Sequence, residues 1–263
     1  AGSSNSAVLA FGDSGDTDIG RVYYYNANNS MHFTTNANDR MVLDSSGRLI
    51  ISSNGTGTNQ NNYGTLLQVA GTDSSGSLSL NRYSANAFGS YIYFYKSRNA
   101  SINGQTVVQD GDALGVLLFA GSDGTDAAYG AEIGAYVDGT PGSGDMPGRI
   151  VFKTSADGSE SPTERLRIDS SGRILIGTTT EGHADADDLT LATSGTTGIT
   201  IRSGTSNYGN IWFSDATSGG GEYAGYVQYN HSSNALNIGT NGTQNLTIDS
   251  SGNTTLSGNL TTS

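Results

Sequence analysis

Carboxylates are the residues of this 263-residue chain best suited to chemistry, because a glycosidase needs two of them about 5 to 10 Å apart around a sugar. Six lie between residues 110 and 138: Asp110, Asp112, Asp123, Asp126, Glu132 and Asp138. With so many, a pair at that spacing is expected by chance, and several adjoin glycine, as turn residues do. No Gly-X-Ser-X-Gly motif or cysteine is present. We therefore predict that the protein is not an enzyme, with glycan depolymerisation as the alternative.

Two acidic clusters and three histidines are the candidate metal ligands. The clusters GDSGDTD (Gly12 to Asp18) and HADADD (His183 to Asp188) carry the oxygen ligands that Ca²⁺ prefers, but neither follows the order of an EF-hand loop. The histidines, at positions 32, 183 and 231, have no paired spacing. We therefore predict solvated turns and no cofactor, with structural calcium at either cluster as the alternative.

Aromatic side chains are the candidate contacts for a glycan receptor, because their rings stack on sugars and the tyrosine hydroxyl adds a hydrogen bond. The candidates are Trp212, Tyr223, Tyr226, Tyr229, Tyr93 and Tyr95. Strand packing is the competing interpretation. In the predicted aromatic strand Tyr91–Tyr95, the three tyrosines share one face, and Ile92 and Phe94 lie on the other.

The composition indicates an all-β chain with a thin core. Apolar residues alternate with polar ones, the 14 tyrosines favour strands, and the 38 glycines supply turns. A net charge of −12 with no basic cluster argues against nucleic acid as a partner. No run of 18 apolar residues is present, so we predict no membrane insertion.

One short motif occurs three times, with apolar segments on both sides. Its copies are RMVLDSSGRLII, RLRIDSSGRILI and LTIDSSGNTTL. Aspartate caps backbone amides and glycine tolerates positive φ, so each DSSG predicts a hairpin turn. The predicted turns begin and end at Asp44 and Gly47, Asp169 and Gly172, and Asp249 and Gly252. A fourth DSSG, Asp73 to Gly76, has different flanks and is interpreted as an ordinary turn.

The similarity between the copies extends upstream of each turn. The predicted repeats cover residues 1–58, 59–182 and 183–263, with a Gly/Pro-rich insertion at 138–162, and two copies are preceded by a strand pair, from Thr65 and from Leu189. One repeat buries little surface alone. We therefore predict antiparallel β-meanders and hairpins stacked along a fibre axis in an intertwined homotrimer, which would close open sheet edges. A monomeric β-solenoid is the alternative.

The stretch from Gln109 to Thr179 resembles the repeat of tail fibres from environmental and marine tailed bacteriophages. The motifs DGTPGSGDMPGRIVF and PTERLRIDSSG carry the resemblance. It implies a trimeric, extracellular tail fibre of the virion, associated with other virion tail proteins. It also implies adhesion to bacterial surface polysaccharide, lipopolysaccharide or protein. An inert shaft and a bacterial surface filament are the alternatives.

In that family such repeats often precede an intramolecular chaperone of the endosialidase type. This domain drives trimerisation and then cuts itself off after a serine. The last residue, Ser263, fits the end that such a cut leaves. A sequence that ends at Ser263 without any such cut would have the same last residue.

Overall fold

The computed structural model describes residues 6–15, 19–52, 67–72 and 76–258. Its strands form three separate sheets, so the all-β, mainly antiparallel prediction is confirmed. The chain separates into two compact units, Ala1–Thr190 and Leu191–Ser263. Among the described residues, no helix is long and apolar enough to cross a membrane. The predicted repeat boundaries and the fibre axis stay predictions.

Sheet 1 is a meander in which each strand pairs with the next. Its first five strands are antiparallel and its sixth is parallel to the fifth. The strands are β1 (Ser6–Phe11), β2 (Gly20–Tyr25), β3 (Ser30–Thr35), β4 (Asn38–Leu43), β5 (Leu49–Ser52) and β6 (Leu67–Ala70).

Sheets 2 and 3 repeat the same meander order. Sheet 2 contains β7 (Ala113–Ser122), β8 (Ala127–Val137), β9 (Gly148–Thr154), β10 (Thr163–Ile168), β11 (Ile174–Ile176) and β12 (Leu189–Leu191). Sheet 3 contains β13 (Tyr208–Phe213), β14 (Gly225–Asn230), β15 (Ala235–Thr240), β16 (Thr243–Ile248) and β17 (Thr254–Leu256). A 3₁₀ helix, Gly219–Tyr223, lies between β13 and β14.

Each sheet has one face of apolar side chains and one face of mixed polar and apolar side chains, because successive side chains of a strand point to opposite faces. We call these the apolar face and the mixed face. Cross-strand register aligns the apolar residues into rows. Sheet 1 has the row Leu9, Val22, Phe33, Met41, Ile51 and Val69. Sheet 2 has Leu117, Ile133, Phe152, Leu166 and Ile176. Sheet 3 has Ile211, Val227, Ile238, Leu246 and Leu256.

The apolar faces are the ones that the single chain leaves uncovered. In β9, Phe152 is 39% exposed, whereas its neighbour Val151, on the mixed face, is 1% exposed. Ile174 and Ile176 of β11 are exposed on either side of the buried Leu175. Two of the three buried apolar side chains of sheet 2, Val151 and Leu175, therefore lie on its mixed face, whereas Val137 is buried at the end of the apolar face.

Two predicted strand regions form no strand in the single chain. Residues 77–97 and 192–203 are neither helix nor strand, and within the described chain they make no backbone–backbone hydrogen bonds. The aromatic strand Tyr91–Tyr95 and the second strand of each predicted pair are therefore absent, because no backbone among the described residues pairs with them. The first strands of those pairs are present as β6 and β12.

Candidate functional site

The DSSG turns are the feature that the structure repeats most closely. In the central copy, Asp169 Oδ1 accepts hydrogen bonds from the backbone N–H groups of Ser171 and Arg173, both at 2.9 Å. The backbone closes the hairpin from Asp169 N–H to Arg173 O at 3.1 Å, and from Gly172 N–H to Asp169 O at 3.0 Å. The motif is therefore a turn capped by its own aspartate.

The first and third copies have the same geometry. Asp44 Oδ1 accepts from the N–H groups two and four residues ahead at 2.9 and 3.0 Å, and Asp249 Oδ1 does so at 2.9 and 2.8 Å. The glycines that end the motif, Gly47, Gly172 and Gly252, have φ of 76°, 85° and 83°. This left-handed backbone disfavours any residue with a Cβ.

The electrostatics of the turn depend on the residue that follows the glycine. Arg173 Nε donates to Asp169 Oδ2 at 2.8 Å, and its Nη1 donates to Asp187 Oδ2 at 3.0 Å. Burial alone would raise the pKa of Asp169, but the N–H groups and the guanidinium hold it below its usual value. A lowered pKa stabilises the fold above about pH 4, and this contribution is lost as the pH falls. In the third copy, Asn253 takes the place of the arginine.

Replacing Gly172 with alanine is expected to destabilise the fold by about 1–2 kcal/mol, because alanine is strained at this φ. An added Cβ would meet nothing within 4 Å, so the backbone alone carries the cost. Urea unfolding at fixed protein concentration measures it. Gly142→Ala is the control, since that site is equally open and outside the left-handed region. It is expected to change stability by under about 0.5 kcal/mol. Equal losses in both variants would contradict the interpretation.

Three of the six aromatic candidates lie together on the mixed face of sheet 3. Trp212 of β13 lies directly opposite Tyr226 of β14, and the ring centroids of Trp212 and Tyr223 are 5.9 Å apart. The Tyr226 ring covers Gly239, where any Cβ would collide with it. We call Trp212, Tyr223 and Tyr226 the Trp212 cluster.

A cleft of about 470 Å³ adjoins the Trp212 cluster. Tyr223 forms part of its lining, together with Asp215, Asn241 and backbone near Gly221 and Gly242. Aromatic rings beside carboxylate and amide groups are what a sugar needs, because the ring faces take its C–H groups and the polar groups take its hydroxyls. These groups are of the kinds that contact saccharides, and glycan binding at this surface stays a prediction.

The other three aromatic candidates lie elsewhere. Tyr229 is on the apolar face of sheet 3, opposite Leu236, and its ring contacts His231 at 5.0 Å. Tyr93 and Tyr95 lie in the unpaired region 77–97, with ring centroids 6.4 Å apart, and the Tyr95 hydroxyl donates to Gln105 Oε1 at 2.5 Å. These residues do not join the Trp212 cluster.

Sheet 1 contains a polar cluster that the sequence did not reveal. Tyr23 stacks on His32 at 4.6 Å between centroids, and Asp39 accepts hydrogen bonds from Tyr23 at 3.0 Å and Thr34 at 2.6 Å. His32 Nδ1 lies 2.8 Å from Asp39 Oδ2, and its Nε2 lies 2.5 Å from Ser30 Oγ. This is the order of a Ser-His-Asp triad, but Ser30 is only 2% exposed, so a substrate cannot reach its hydroxyl.

The titration of this cluster follows from its hydrogen bonds. Burial, followed by the bond to Asp39, raises the pKa of Tyr23 to about 12. Burial alone would raise the pKa of Asp39, but bonds from Thr34, His32 and Tyr23 hold it below its usual value. A cleft of about 360 Å³ beside the cluster is also lined by Arg21 and Tyr25.

Several candidate catalytic carboxylates are committed to ion pairs. Asp112 receives two bonds of 2.7 Å from Arg98, which, with the Gln109 N–H, lower its pKa. Two further pairs lie on the mixed face of sheet 2: Asp138 with Arg149 at 2.8 Å, and Glu132 with Lys153 at 2.7 Å. These contacts stabilise loops and strands.

Within the described residues, neither candidate calcium cluster brings three acidic or histidine ligands together. Part of Gly12 to Asp18 lies outside the described residues, as do part of the fourth DSSG and Ser263. In HADADD, Asp187 is engaged by Arg173. Across the described part of the chain, one acidic trio has oxygens within 4.8 Å of one another, and all its members are exposed: Asp123, Asp126 and Glu160. Exposed acidic groups commonly hold no ion.

The fold defines a class, an all-β chain of open antiparallel meanders. Among solved structures, the chain is similar to the carboxy-terminal domain of the bacteriophage T5 L-shaped tail fibre, at 11% identity and a TM-score of 0.36, covering 71% of this chain and 93% of that one. The same domain with its intramolecular chaperone gives 12% identity, a TM-score of 0.37, and coverage of 71% and 64%. Such low scores carry no functional argument. No protein-family model matches the sequence, and no curated protein matches it significantly.

Proposed function

We propose that this chain is a structural and host-adhesion segment of a phage tail fibre, located in the virion and assembled as a non-enzymatic homotrimer. The observation that carries the proposal is the uncovered apolar face of every sheet. The sequence resemblance over Gln109 to Thr179 supplies the tail-fibre context.

The apolar faces support self-association because a single chain buries so little. Among the described residues, seven apolar side chains are buried, whereas forty-two large hydrophobic side chains are exposed. Each buried side chain of this kind contributes about 1.5–3 kcal/mol relative to exposure. Covering the apolar rows with copies of the same chain would supply the core that the single chain lacks.

The mixed faces support contact with solvent and with a receptor. Ion pairs such as Glu132 with Lys153 stay favourable next to water, and the aromatic residues of the Trp212 cluster lie on the same kind of face. A bacterial surface polysaccharide or lipopolysaccharide is the receptor class that this cluster suits, with a surface protein as the alternative.

Substituting Trp212 with alanine is expected to weaken glycan binding about tenfold, the loss of roughly 1.4 kcal/mol of ring stacking. The measurement is binding of the purified protein to a panel of immobilised bacterial lipopolysaccharides and capsular polysaccharides. Tyr208→Ala is the matched control, because Tyr208 is 51% exposed and Trp212 52%, on the same face of β13.

The outcome separates adhesion from other roles. Retained binding by Tyr208→Ala and weakened binding by Trp212→Ala would support the cluster as the receptor site. No binding to any glycan by the unaltered protein would contradict glycan adhesion. Shortening of the polysaccharides on incubation would contradict the non-enzymatic proposal.

A further inference from the structure

The unpaired regions contain one pattern twice. Residues 76–82, GSLSLNR, follow β6, and residues 198–202, GITIR, follow β12. Each has two apolar residues separated by one polar residue, as in a strand. Leu80 and Ile201 hold the same place in the pattern and are each 47% exposed. The same strand-like segment therefore occurs twice without a backbone partner among the described residues.

Neighbouring contacts place these regions beside the apolar faces. Gly209, the second residue of β13, lies on the apolar face of sheet 3, and Ile201 Cγ2 is 3.5 Å from where a Cβ on Gly209 would be. Gly115 lies on the apolar face of sheet 2, and a Cβ there would be 2.5 Å from Phe94 Cβ. Phe94 and Ile201 of the unpaired regions thus lie next to surfaces that assembly would cover.

We propose that residues 77–82, 90–96 and 198–203 form β-strands by hydrogen bonding to the backbone of a second copy of this chain. This rests on the proposed homotrimer and identifies the segments that the copies exchange. Strand-like residues need backbone partners as well as apolar cover, and another strand supplies both.

The extent of the exposed apolar surface indicates that further copies of this chain cover it. Among the described residues, large hydrophobic side chains are exposed on all three sheets. A standard interface covers only about 800 Å² per partner, so several contacts between copies of a repetitive chain would be needed.

The charge of the unpaired region 77–97 also favours a second copy of this chain as its partner. The region 77–97 contains Arg82 and Lys96 and no acidic residue, whereas the whole chain has a net charge of −12. A basic segment is attracted to an acidic copy of its own chain.

Hydrogen–deuterium exchange on the full chain, with its mass monitored by light scattering, tests the proposal. In the trimer, the amides of 77–82, 90–96 and 198–203 are expected to exchange at least about 100-fold more slowly than those of the exposed loop 157–161. Exchange as fast as that loop in a trimeric protein would overturn the strand exchange and leave the homotrimer standing. A monomeric mass would overturn both.

Two glycines on β7 supply matched variants. Gly115→Ala places a methyl group against Phe94 and is expected to speed exchange at 90–96 while β8 stays protected. Gly121→Ala, on the same strand with nothing within 4 Å, is expected to leave exchange at 90–96 unchanged. Unchanged exchange in Gly115→Ala would overturn the placement of this strand.

Discussion

Leu117→Asp is expected to abolish the trimer, while Leu118→Asp leaves it intact. The two residues are adjacent in β7 and almost equally exposed in the single chain, at 46% and 44%. Leu117 belongs to the apolar row with Ile133 and Phe152, whereas Leu118 lies opposite Glu132 on the mixed face. In a trimer that covers the apolar faces, the Leu117→Asp carboxylates would be buried without partners, at about 3–5 kcal/mol each.

The pair separates assembly from folding, because both substitutions place the same charge on the same strand. Light scattering gives the mass of each variant, and circular dichroism checks that the sheets remain. Trimers in both variants would show that the apolar face of sheet 2 is not the contact surface. Loss of the trimer in Leu118→Asp alone would place the contact on the mixed face.

Asp138→Ala is expected to destabilise the protein by about 2–3 kcal/mol at neutral pH. Asp138 accepts a hydrogen bond from Arg149 Nη1 at 2.8 Å and another from the backbone N–H of Ser170 at 2.8 Å. Asp138 therefore connects the loop after β8 to the central DSSG turn through these two hydrogen bonds. Its removal leaves a half-buried guanidinium and a turn N–H without this acceptor.

The pH dependence of this loss has a definite sign. Burial alone would raise the pKa of Asp138, but the Ser170 N–H and Arg149 hold it below its usual value. Its contribution is therefore present above about pH 4 and is lost as the pH falls through the lowered pKa. The difference in stability between the unaltered protein and Asp138→Ala should shrink at acid pH.

Asp110→Ala is the matched control for Asp138→Ala. Asp110 lies 3.6 Å from the same Arg149 Nη1 but is largely exposed, so its loss should cost under about 1 kcal/mol. Urea unfolding at fixed protein concentration, at neutral and acid pH, gives both values. Equal costs, or a cost for Asp138→Ala that persists at acid pH, would contradict the assigned role of Asp138.

The hairpin turns were predictable because their determinants are local. The Asp169 carboxylate, the N–H groups it caps and the positive φ of Gly172 lie within five consecutive residues. Arg173 pairs with that aspartate for the same reason of proximity. Alternation along strands likewise gave the all-β class.

The aromatic surface was only partly predictable. Strand alternation alone places Tyr226 and Tyr229 on opposite faces, because they are three positions apart. The contact between Trp212 and Tyr226 depends on the register of β13 with β14, across a connection that contains a 3₁₀ helix and no local turn motif.

The Tyr23, His32 and Asp39 cluster was missed because it depends on an irregularity. The register of β3 with β4 shifts between Phe33 and Thr34, which brings Asp39 opposite Thr34. Regular pairing would place Arg40 there instead. No pattern in the sequence marks such a bulge, so the histidine looked isolated.

The aromatic segment Tyr91–Tyr95 shows a different limit. Its alternation predicts a strand, yet the part of the single chain that the structure describes gives its backbone no partner. Alternation of apolar and polar residues indicates which side chains share a face of a strand. It does not indicate whether the partner strand belongs to the same chain. The failure of this prediction in the single chain is what the strand exchange explains.

In the proposed homotrimer, the apolar faces are covered by copies of the same chain. Size-exclusion chromatography with light scattering on the unaltered protein, without heat or detergent, measures this assembly. One chain is 27.1 kDa, so a trimer has three times that mass, about 81 kDa. A stable species of 27.1 kDa at micromolar concentration would contradict it.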